Sequence, residues 1–241
     1  MKITRGRLLS GAQNARGIAV IIDVFRAFTC TPLLFAMGIE KSILVPTPAD
    51  AFALKHRLAD LILIGEVGGI PIEGFDLGNS PSEILNTDPA FFSGRTVVQR
   101  TSAGVQGAIA ALDGADEVLL GSYVVAQPTA SYILAQHPQT VSLVAMGWDL
   151  KEEAPEDEWC ARYLAHLLNS SEYNHLQALR EITFHETTQK FLRRDASHFP
   201  AEDPILCLQR DILDFALRVA REQDLIVVRK ANPQRGVVGG C

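Results

Sequence analysis

Several apolar runs of this 241-residue sequence are followed at once by polar residues, at the points where strands would end. These residues offer carboxylates, a guanidinium group, hydroxyls or open backbone, and they are Asp23, Arg26, Glu66, Thr101, Ser102 and Gly104. In open α/β sheets, ligands bind beyond the carboxyl ends of the strands, so we expect these groups to lie together. Two carboxylates there suit a hydrated Mg²⁺, which prefers a few carboxylates together with phosphate oxygens of a substrate. The pattern therefore predicts a site for a divalent cation and a small phosphorylated anion.

The loop GEVGGIPIEGFDLGNSPSE (65–83) offers a second way to hold an anion. Ser80 precedes a proline and is followed three residues later by Glu83, the pattern of a capping box with proline at the first helical position. It predicts a helix that begins at Ser80, with free amides near Asp76 and Asn79, where the helix dipole favours an anion. The alternative interpretation is structural: the cap only stabilises the helix, by ~1 kcal/mol.

Taken singly, the charged residues at the strand ends also have structural interpretations. Asp23 could cap the helix that follows it, and Arg26 could pair with a surface carboxylate. The sequence has no GxxxxGK[ST] phosphate loop, no GxGxxG after a strand, no GxSxG and no HExxH. The stretch after Asp23 also lacks the second aspartate expected of haloacid-dehalogenase phosphatases. The chemistry is therefore predicted from the group of residues as a whole.

Short apolar runs alternate with helical stretches through the first two-thirds of the chain. The predicted strands are IAVII (18–22), KSILV (41–45), LILI (61–64), TVVQ (96–99), EVLLG (117–121) and TVSLVAM (140–146). The predicted helices are AFTCTPLLFAMG (27–38, closed by Gly38), TPADAFALKHRLAD (47–60, N-capped by Thr47), VQGAIAAL (105–112) and QPTASYILAQH (127–137). Continuous apolar strands separated by helices indicate an α/β fold whose sheet is covered on both faces.

From about 155 to 222 the pattern becomes mostly helical. EDEWCARYLAHLL (156–168) and ILDFALRVA (212–220) each space their apolar residues for one face of a helix, whereas DLIVV (224–228) is typical of a strand. No linker rich in proline, glycine or serine divides the chain. We therefore expect a single domain that spans residues 1–241.

Composition excludes some partners. The formal net charge is −6 and the basic residues are not clustered, so we expect no nucleic-acid partner. No apolar run approaches the ~18–20 residues of a membrane span. The first residues, MKITRGRLLSGAQ, lack the apolar segment of a signal peptide. The four cysteines are scattered without a CxxC pair, which favours reduced core-packing thiols and a cytoplasmic location.

With these residues collected, the chain resembles the 2-phosphosulfolactate phosphatase (ComB) family of coenzyme M biosynthesis. The matching stretches are IIDVFRAFT (21–29), GEVGG and GFDLGNSPSE within 65–83, TSAG (101–104) and EDEWCARYL (156–164), and they occur in the order of the family. The resemblance implies a three-layer α/β/α fold with a mixed, largely parallel sheet. It also implies a Mg²⁺-dependent phosphatase that converts (2R)-2-phospho-3-sulfolactate into 3-sulfolactate and phosphate.

The resemblance also implies candidate roles for residues of this chain. The residues carried over by motif are Asp23, Arg26, Glu66, Asp76, Asn79, Ser80, Thr101, Ser102, Glu156 and Asp157. Mg²⁺ would be held by some of the carboxylates Asp23, Glu66, Asp76, Glu156 and Asp157. Arg26 and the amides near Ser80 and Gly104 would balance the charge on the phosphoryl oxygens. Asp23 or Glu66 would accept the proton of the attacking water, and a phosphoenzyme formed on Asp23 stays open.

Two features leave the choice of substrate open. The family often has arginine where this chain has Val67, and a TTNGT-like turn of archaeal members appears here as RTSAGVQG (100–107). The alternatives are therefore a phosphatase of another small phosphomonoester and a non-catalytic sensor that binds an anion on the same fold. The sequence also leaves the oligomeric state open, a homo-oligomer included.

Overall fold

The computed structural model describes residues 1–58 and 60–231, and these residues form one mixed β-sheet with helices around it. The ten strands of the described residues are β1 (Lys2–Arg7), β2 (Ile18–Ile22), β3 (Lys41–Leu44), β4 (Leu61–Val67), β5 (Ile70–Pro71), β6 (Thr96–Arg100), β7 (Glu117–Gly121), β8 (Thr140–Ala145), β9 (Ala216–Glu222) and β10 (Leu225–Ala231). Their order across the sheet is β1-β8-β2-β7-β9-β10-β3-β6-β4-β5. All six strands expected from the first two-thirds of the sequence are present, and so is the late strand.

The sheet consists of two parallel groups with an antiparallel hairpin between them. β1, β8, β2 and β7 run parallel to one another, and β3, β6 and β4 form the second parallel group. The hairpin β9–β10 pairs antiparallel with β7 on one side and with β3 on the other. The predicted mixed, largely parallel sheet is therefore confirmed. Because these antiparallel pairings reverse the chain direction, a flat sheet would place the carboxyl ends of the two groups at opposite edges.

The loops after the two groups nevertheless meet. One hydrogen bond shows the contact: the backbone N–H of Gly104, after β6, donates to Oδ2 of Asp23, after β2, over 2.8 Å. Loops from both parallel groups therefore meet at one place.

Helices cover both faces of the sheet. In the described residues they are α1 (Leu8–Gln13), α2 (Ala27–Ala36), α3 (Pro48–Arg57), α4 (Pro81–Asn86), α5 (Pro89–Phe92), α6 (Gly104–Ala111), α7 (Ala126–Ala135), α8 (Pro155–Asn169), α9 (His175–Thr183), α10 (Glu186–Leu192) and α11 (Glu202–Cys207). No helix among the described residues is long and apolar enough to cross a membrane.

Strand β2 shows why the three-layer arrangement follows from the sequence. All five of its residues are buried, and successive side chains point to opposite faces of a sheet. Ile21 packs into the core that contains Phe28 of α2, while Val20 packs into the core that contains Leu164 of α8. A continuous apolar strand thus has a helical layer on each side, which confirms the predicted α/β/α class. Cys30, Cys160 and Cys207 are buried and free, as expected, and Cys241 lies outside the described residues.

Local sequence signals place several helix ends. The side chain of Thr47 accepts a hydrogen bond from the N–H of Asp50, and Asp50 completes the capping box of α3. Helix α2 ends just before Gly38, which adopts a φ of +99° that a side chain would disfavour. Both predicted boundaries are confirmed.

One predicted helix is wrong. ILDFALRVA (212–220) was expected to be helical, but from Ala216 onward it is strand β9, which pairs with β10 along its whole length. Leu217 and Val219 are buried while Arg218 between them is exposed, so the alternation has the period of a strand. The local pattern fits either a helix or a strand, and the pairing with β10 makes this segment a strand. The structure also adds β1 and α1, which the sequence pattern did not predict.

Candidate active site

A small cleft of about 30 Å³ opens where the loops of the two parallel groups meet. It is lined by Asp23, Phe25, Arg26, Glu66, Gly68, Gly69, Asn79, Ser102, Ala103, Gly147, Trp148 and Asp149. These residues follow β2, β6 and β8 or belong to β4 and the loop after it. Six of the residues predicted from the sequence thus lie in or beside one cleft: Asp23, Arg26, Glu66, Asn79, Ser102 and Gly104.

Asp23 is buried and held by main-chain donors. Its Oδ1 accepts a hydrogen bond from the N–H of Ala27 (3.1 Å), and its Oδ2 accepts one from Gly104 (2.8 Å). Burial raises the pKa of Asp23 to about 7; the two amides oppose this shift and the nearby charge of Glu66 adds to it. Position 104 must be glycine, because a Cβ there would lie 2.6 Å from Oδ2 of Asp23. Asp23 therefore caps α2 as well as lining the cleft.

Glu66 is held in the same way at the end of β4. Its Oε1 accepts a hydrogen bond from the N–H of Ser102 (2.6 Å). Its Oε2 accepts from the N–H of Gly69 (2.6 Å) and from the hydroxyl of Ser102 (3.1 Å). The side chain of Ser102 therefore orients Glu66, in addition to lining the cleft.

Arg26 is buried, and its partner was not predicted from the sequence. Its Nη1 donates to Oδ2 of Asp203 in α11 over 2.7 Å and to the carbonyl of His198 over 3.0 Å. The guanidinium carbon also lies 5.2 Å from the centre of the Phe191 ring. The expected surface ion pair is therefore a buried one, with Asp203 fully inaccessible to solvent. Asp203 stands in the segment AEDPILC, which resembles any helix start, so no sequence signal marks its role.

Asp203 also occupies the helix terminus that was predicted to hold an anion. Ser80 caps α4 as expected, accepting a hydrogen bond from the N–H of Glu83 (3.3 Å). However, the Oδ1 of Asp203 accepts from the hydroxyl of Ser80 (2.9 Å) and from the N–H of Ser82 (3.0 Å). The reciprocal half of the capping box is absent as well, because Oε2 of Glu83 accepts from Gly78 (2.9 Å) instead. The N-terminus of α4 is thus occupied by the carboxylate of Asp203.

Asn79 is the polar residue that remains free in the cleft. Its side-chain Oδ1 is buried and has no hydrogen-bond partner among the described residues. A buried carbonyl oxygen without a partner is costly, so such an atom is expected to meet a ligand, an ion or water. Asn79 is therefore a candidate for direct contact with substrate or cation.

Four other predicted residues lie outside the cleft lining. Asp76 accepts hydrogen bonds from Lys55 Nζ (2.7 Å) and the N–H of Leu63 (2.8 Å), so it braces the loop after β4. Thr101 accepts from the N–H of Val105 (3.1 Å) and caps the first turn of α6. Glu156 and Asp157 are the other two, and both lie at the start of α8.

Glu156 and Asp157 are buried behind the cleft. Asp157 accepts hydrogen bonds from the N–H groups of Val24 (2.7 Å) and Gly147 (2.8 Å), which ties the loops after β2 and β8 together. Burial raises its pKa well above the usual range, and Asp23 adds to the shift. Glu156 accepts from the hydroxyl of Thr187 (3.1 Å), and burial raises its pKa to about 7. Both carboxylates thus contribute to packing and loop placement, and neither lines the cleft.

The donors in the cleft suit a hydrated Mg²⁺ better than a fully protein-ligated metal. The described residues contain no group of three or more His, Cys, Asp or Glu side chains placed to hold a metal ion. The cleft instead provides two carboxylates, Asp23 and Glu66, and the unpaired oxygen of Asn79. Mg²⁺ typically keeps several waters and binds one or two carboxylates plus substrate phosphate. Of the five carboxylates among which the metal ligands were expected, Asp23 and Glu66 line the cleft.

The fold and the cleft together define a class of protein: an α/β enzyme whose site, with paired carboxylates and an arginine at strand ends, is suited to a small anionic substrate. Comparison with known families agrees with this class. A sequence model of the 2-phosphosulpholactate phosphatase family matches residues 6–220. The chain belongs to this family, whose members are phosphoric monoester hydrolases, and the resemblance predicted from the motifs is confirmed.

Individual relatives are moderately similar. A probable 2-phosphosulfolactate phosphatase of Bacillus subtilis is 28% identical over 216 residues, which cover 88% of this chain and 91% of that protein. Proteins with the same description from Deinococcus radiodurans and Caldicellulosiruptor saccharolyticus are 37% and 35% identical. Those two alignments cover 55% and 62% of this chain, and 54% and 61% of the respective relatives.

Proposed function

We propose that this protein is a Mg²⁺-dependent phosphatase of a small phosphorylated hydroxy acid, and that 2-phosphosulfolactate is the substrate, hydrolysed to 3-sulfolactate and phosphate. The observation that carries this proposal is the pair of carboxylates, Asp23 and Glu66, fixed by main-chain amides in one cleft with Arg26. The choice of substrate is supported by the family and by the descriptions of the relatives.

In the proposed reaction, water attacks phosphorus while the bond from phosphorus to the substrate oxygen breaks. Asp23 accepts a proton from the attacking water. The proton then neutralises the leaving alkoxide. When bound, Mg²⁺ would supply positive charge at the phosphoryl oxygens and at the water. Asp23, Glu66 and the side-chain oxygen of Asn79 are the groups that would hold it.

Arg26 supplies a cation whose position is independent of the metal. Its Nη1 donates to Asp203 and to the carbonyl of His198, so the guanidinium group is held in one orientation. In the described part of the chain, its Nε and Nη2 donate no hydrogen bond, so they remain for an equatorial phosphoryl oxygen. A guanidinium held before the substrate arrives stabilises the developing charge without reorganisation.

A panel of phosphomonoesters tests the proposal. Purified protein is incubated with 2-phosphosulfolactate, 2-phospholactate and glycerol 2-phosphate, with Mg²⁺ or with EDTA, and released phosphate is measured. We expect release that requires Mg²⁺ and is fastest with 2-phosphosulfolactate. Release that is unaffected by EDTA would refute the metal requirement. No release from any substrate, together with a raised melting temperature in the presence of the ligand, would indicate the non-catalytic sensor instead.

The proposal leaves one step to a separate measurement. Asp23 could act as the nucleophile and form an aspartyl phosphate in place of activating water. Acid quenching during turnover, followed by mass spectrometry of the peptide that contains Asp23, detects that adduct. We also propose a cytoplasmic location, which is supported by the free thiols of Cys30, Cys160 and Cys207.

A further inference from the structure

One cation beside the cleft has no hydrogen-bond or ion-pair partner among the described residues. Lys190 lies in α10, and within residues 1–58 and 60–231 its ammonium group forms no ion pair and donates no hydrogen bond. The other buried cation of this region, Arg26, has both an ion pair with Asp203 and a carbonyl acceptor. A half-buried ammonium group without such a partner is costly to keep charged, and burial accordingly lowers the pKa of Lys190 to about 8.

Aromatic rings surround this ammonium group, and one of them belongs to the cleft lining. Its Nζ lies 3.1 Å from the centre of the Trp148 ring, and Trp148 lines the cleft. It also lies 4.9 Å from the Phe199 ring and 5.5 Å from the Phe191 ring. Arg26 lies over the same two phenyl rings, at 5.2 Å from Phe191 and 6.0 Å from Phe199. The two cations therefore flank one aromatic cluster on one side of the cleft.

The loop that carries Glu66 leaves room for this arrangement. Gly69 has a φ of +84°, and a Cβ there would lie 2.9 Å from the Trp148 ring and 3.4 Å from Phe199. Glycine at this position thus allows the indole to approach the loop that carries Glu66. A ring face attracts a cation without neutralising it, so the charge of Lys190 stays available to an anion.

The nearby carboxylates have other partners. Glu156 accepts a hydrogen bond from Thr187, and Glu186 is paired with Arg193. Glu156, Glu152 and Glu186 raise the pKa of Lys190 through their charges, from beyond ion-pair distance. The ammonium group is therefore not part of an internal ion pair within 4 Å in the described residues.

We propose that Lys190 is a specificity-determining residue that binds an acidic group of the substrate other than the phosphoryl group. The group is a carboxylate or a sulfonate, and Trp148 is the surface on which the ammonium group is held. This inference rests on the proposed function, because it assigns the second anionic group of the same substrate class. Arg26 and the carboxylate-bound cation would hold the phosphoryl group, and Lys190 would select substrates with a further negative charge.

The test compares three substrates that lose their acidic groups one at a time. 2-Phosphosulfolactate carries a carboxylate and a sulfonate, 2-phospholactate carries only the carboxylate, and glycerol 2-phosphate carries neither. The variants are Lys190→Met, which keeps the apolar stem, and Lys190→Arg, which keeps the charge. The matched control is Lys230→Met, because Lys230 also lies over an aromatic ring (4.0 Å from Phe215) but on β10, away from the cleft.

We expect Lys190→Met to lower kcat/KM for 2-phosphosulfolactate about 10- to 100-fold, mainly by raising KM, because a charge-assisted hydrogen bond is lost. Lys190→Arg should recover most of this loss, and Lys230→Met should change nothing. Glycerol 2-phosphate should be hydrolysed equally by all forms. A loss that extends to 2-phospholactate assigns the carboxylate to Lys190, and a loss confined to 2-phosphosulfolactate assigns the sulfonate.

An equal loss on all three substrates, or no loss on any, would overturn the inference. If wild-type protein releases no phosphate at all, the proposed function fails, and binding of 3-sulfolactate measured by calorimetry decides the role of Lys190 separately. Affinity that falls about 10-fold in Lys190→Met and not in Lys230→Met supports the inference. Unchanged affinity, or no binding by the wild type, contradicts it.

Discussion

Two parts of the cleft region hold their charged side chains in different ways. We call Asp23 and Glu66 with their loops the floor, and the segment of α10 and α11 that carries Lys190, Phe199 and Asp203 the wall. On the floor, each carboxylate oxygen accepts at least one hydrogen bond from a backbone N–H, and the backbone is fixed by the sheet. In the wall, charged side chains are held by other side chains and by ring faces.

This difference indicates that the floor holds the reacting groups and that the wall selects the substrate. Main-chain donors keep their positions when a neighbouring side chain changes, so the floor is a rigid frame for a reacting group. A buried ion pair depends on both partners, and removing one leaves an uncompensated charge. We therefore expect floor substitutions to abolish turnover with little effect on folding, and wall substitutions to change affinity and stability.

The largest expected effect is on the floor. Asp23→Asn should lower kcat about 10²- to 10⁴-fold, the range for loss of a general base, while the amide side chain still fills the site. Phosphate release measures the loss, and thermal unfolding checks the fold. Asp76→Asn is the matched control, because Asp76 lies in the predicted loop but outside the cleft lining and should retain activity. Wild-type turnover by Asp23→Asn would remove Asp23 from the mechanism.

The carboxylates of the floor could be predicted from the sequence, whereas the residues of the wall could not. Asp23 and Glu66 were found because carboxyl ends of strands collect ligands and because apolar strands are visible in a single sequence. The expected route was incomplete, since their loops come from two parallel groups that run in opposite directions in the sheet. No local sequence pattern encodes the contact between these loops, because it depends on where β9 and β10 pair within the sheet.

The wall could not be predicted for a related reason. Asp203 is 177 residues away from Arg26 in sequence, and Lys190 lies in a short helix with no motif. The same absence of long-range information made Asp76 look like a ligand, although it pairs with Lys55. Tertiary contact decides which carboxylate of a loop faces the site. One signal was usable: the period of two in Leu217-Arg218-Val219 could have identified β9.

The ion pair that joins wall to floor should give the next largest effect. Asp203→Asn leaves the buried guanidinium of Arg26 uncompensated, so we expect the free energy of unfolding to fall by about 3 kcal/mol and KM to rise about 10-fold. Urea denaturation and steady-state kinetics measure the two changes. The control is Glu202→Gln in the same helix, whose ion pair with Arg194 is exposed and should contribute less than about 1 kcal/mol.

A double-mutant cycle shows whether Asp203 acts through Arg26. In an Arg26→Met background, Asp203→Asn should cost little further stability and leave KM unchanged, because the charge that it compensates is gone. Independent, additive effects would mean that Asp203 matters only through its bonds to Ser80 and Ser82.

The wall should also respond to pH, because Lys190 titrates near neutral pH. The pKa of Lys190 is lowered to about 8, so its positive charge is lost as pH rises through that value. The charged groups that influence it are Arg26, which lowers the pKa, and Glu156, Glu152 and Glu186, which raise it. We expect KM for 2-phosphosulfolactate to rise up to about 10-fold between pH 7.5 and 9 and then to level off at the value of Lys190→Met.

Two comparisons separate this effect from other titrations. Lys190→Arg should flatten the rise, because arginine stays charged throughout this range. Glycerol 2-phosphate, which lacks an acidic group besides the phosphate, should show no matching change in KM. A rise that persists in Lys190→Arg would point to a different titrating group.

The smallest expected effect concerns the base of the wall, where Glu156 is buried against Thr187. Burial raises its pKa from 4.5 to about 7, so the folded state binds a proton more tightly than the unfolded state does. This group therefore destabilises the fold as pH rises from about 4.5 to about 7, and the destabilisation persists above pH 7.

Glu156→Gln should raise the free energy of unfolding at pH 8 by roughly 1 kcal/mol relative to wild type and leave it similar at pH 4.5. Urea titrations at both pH values measure the difference, with the exposed Glu172→Gln as the control. If Glu156→Gln instead loses stability at pH 8, the charged carboxylate is held there by Lys190, and the wall then contains a longer-range ion pair that would compete with the substrate.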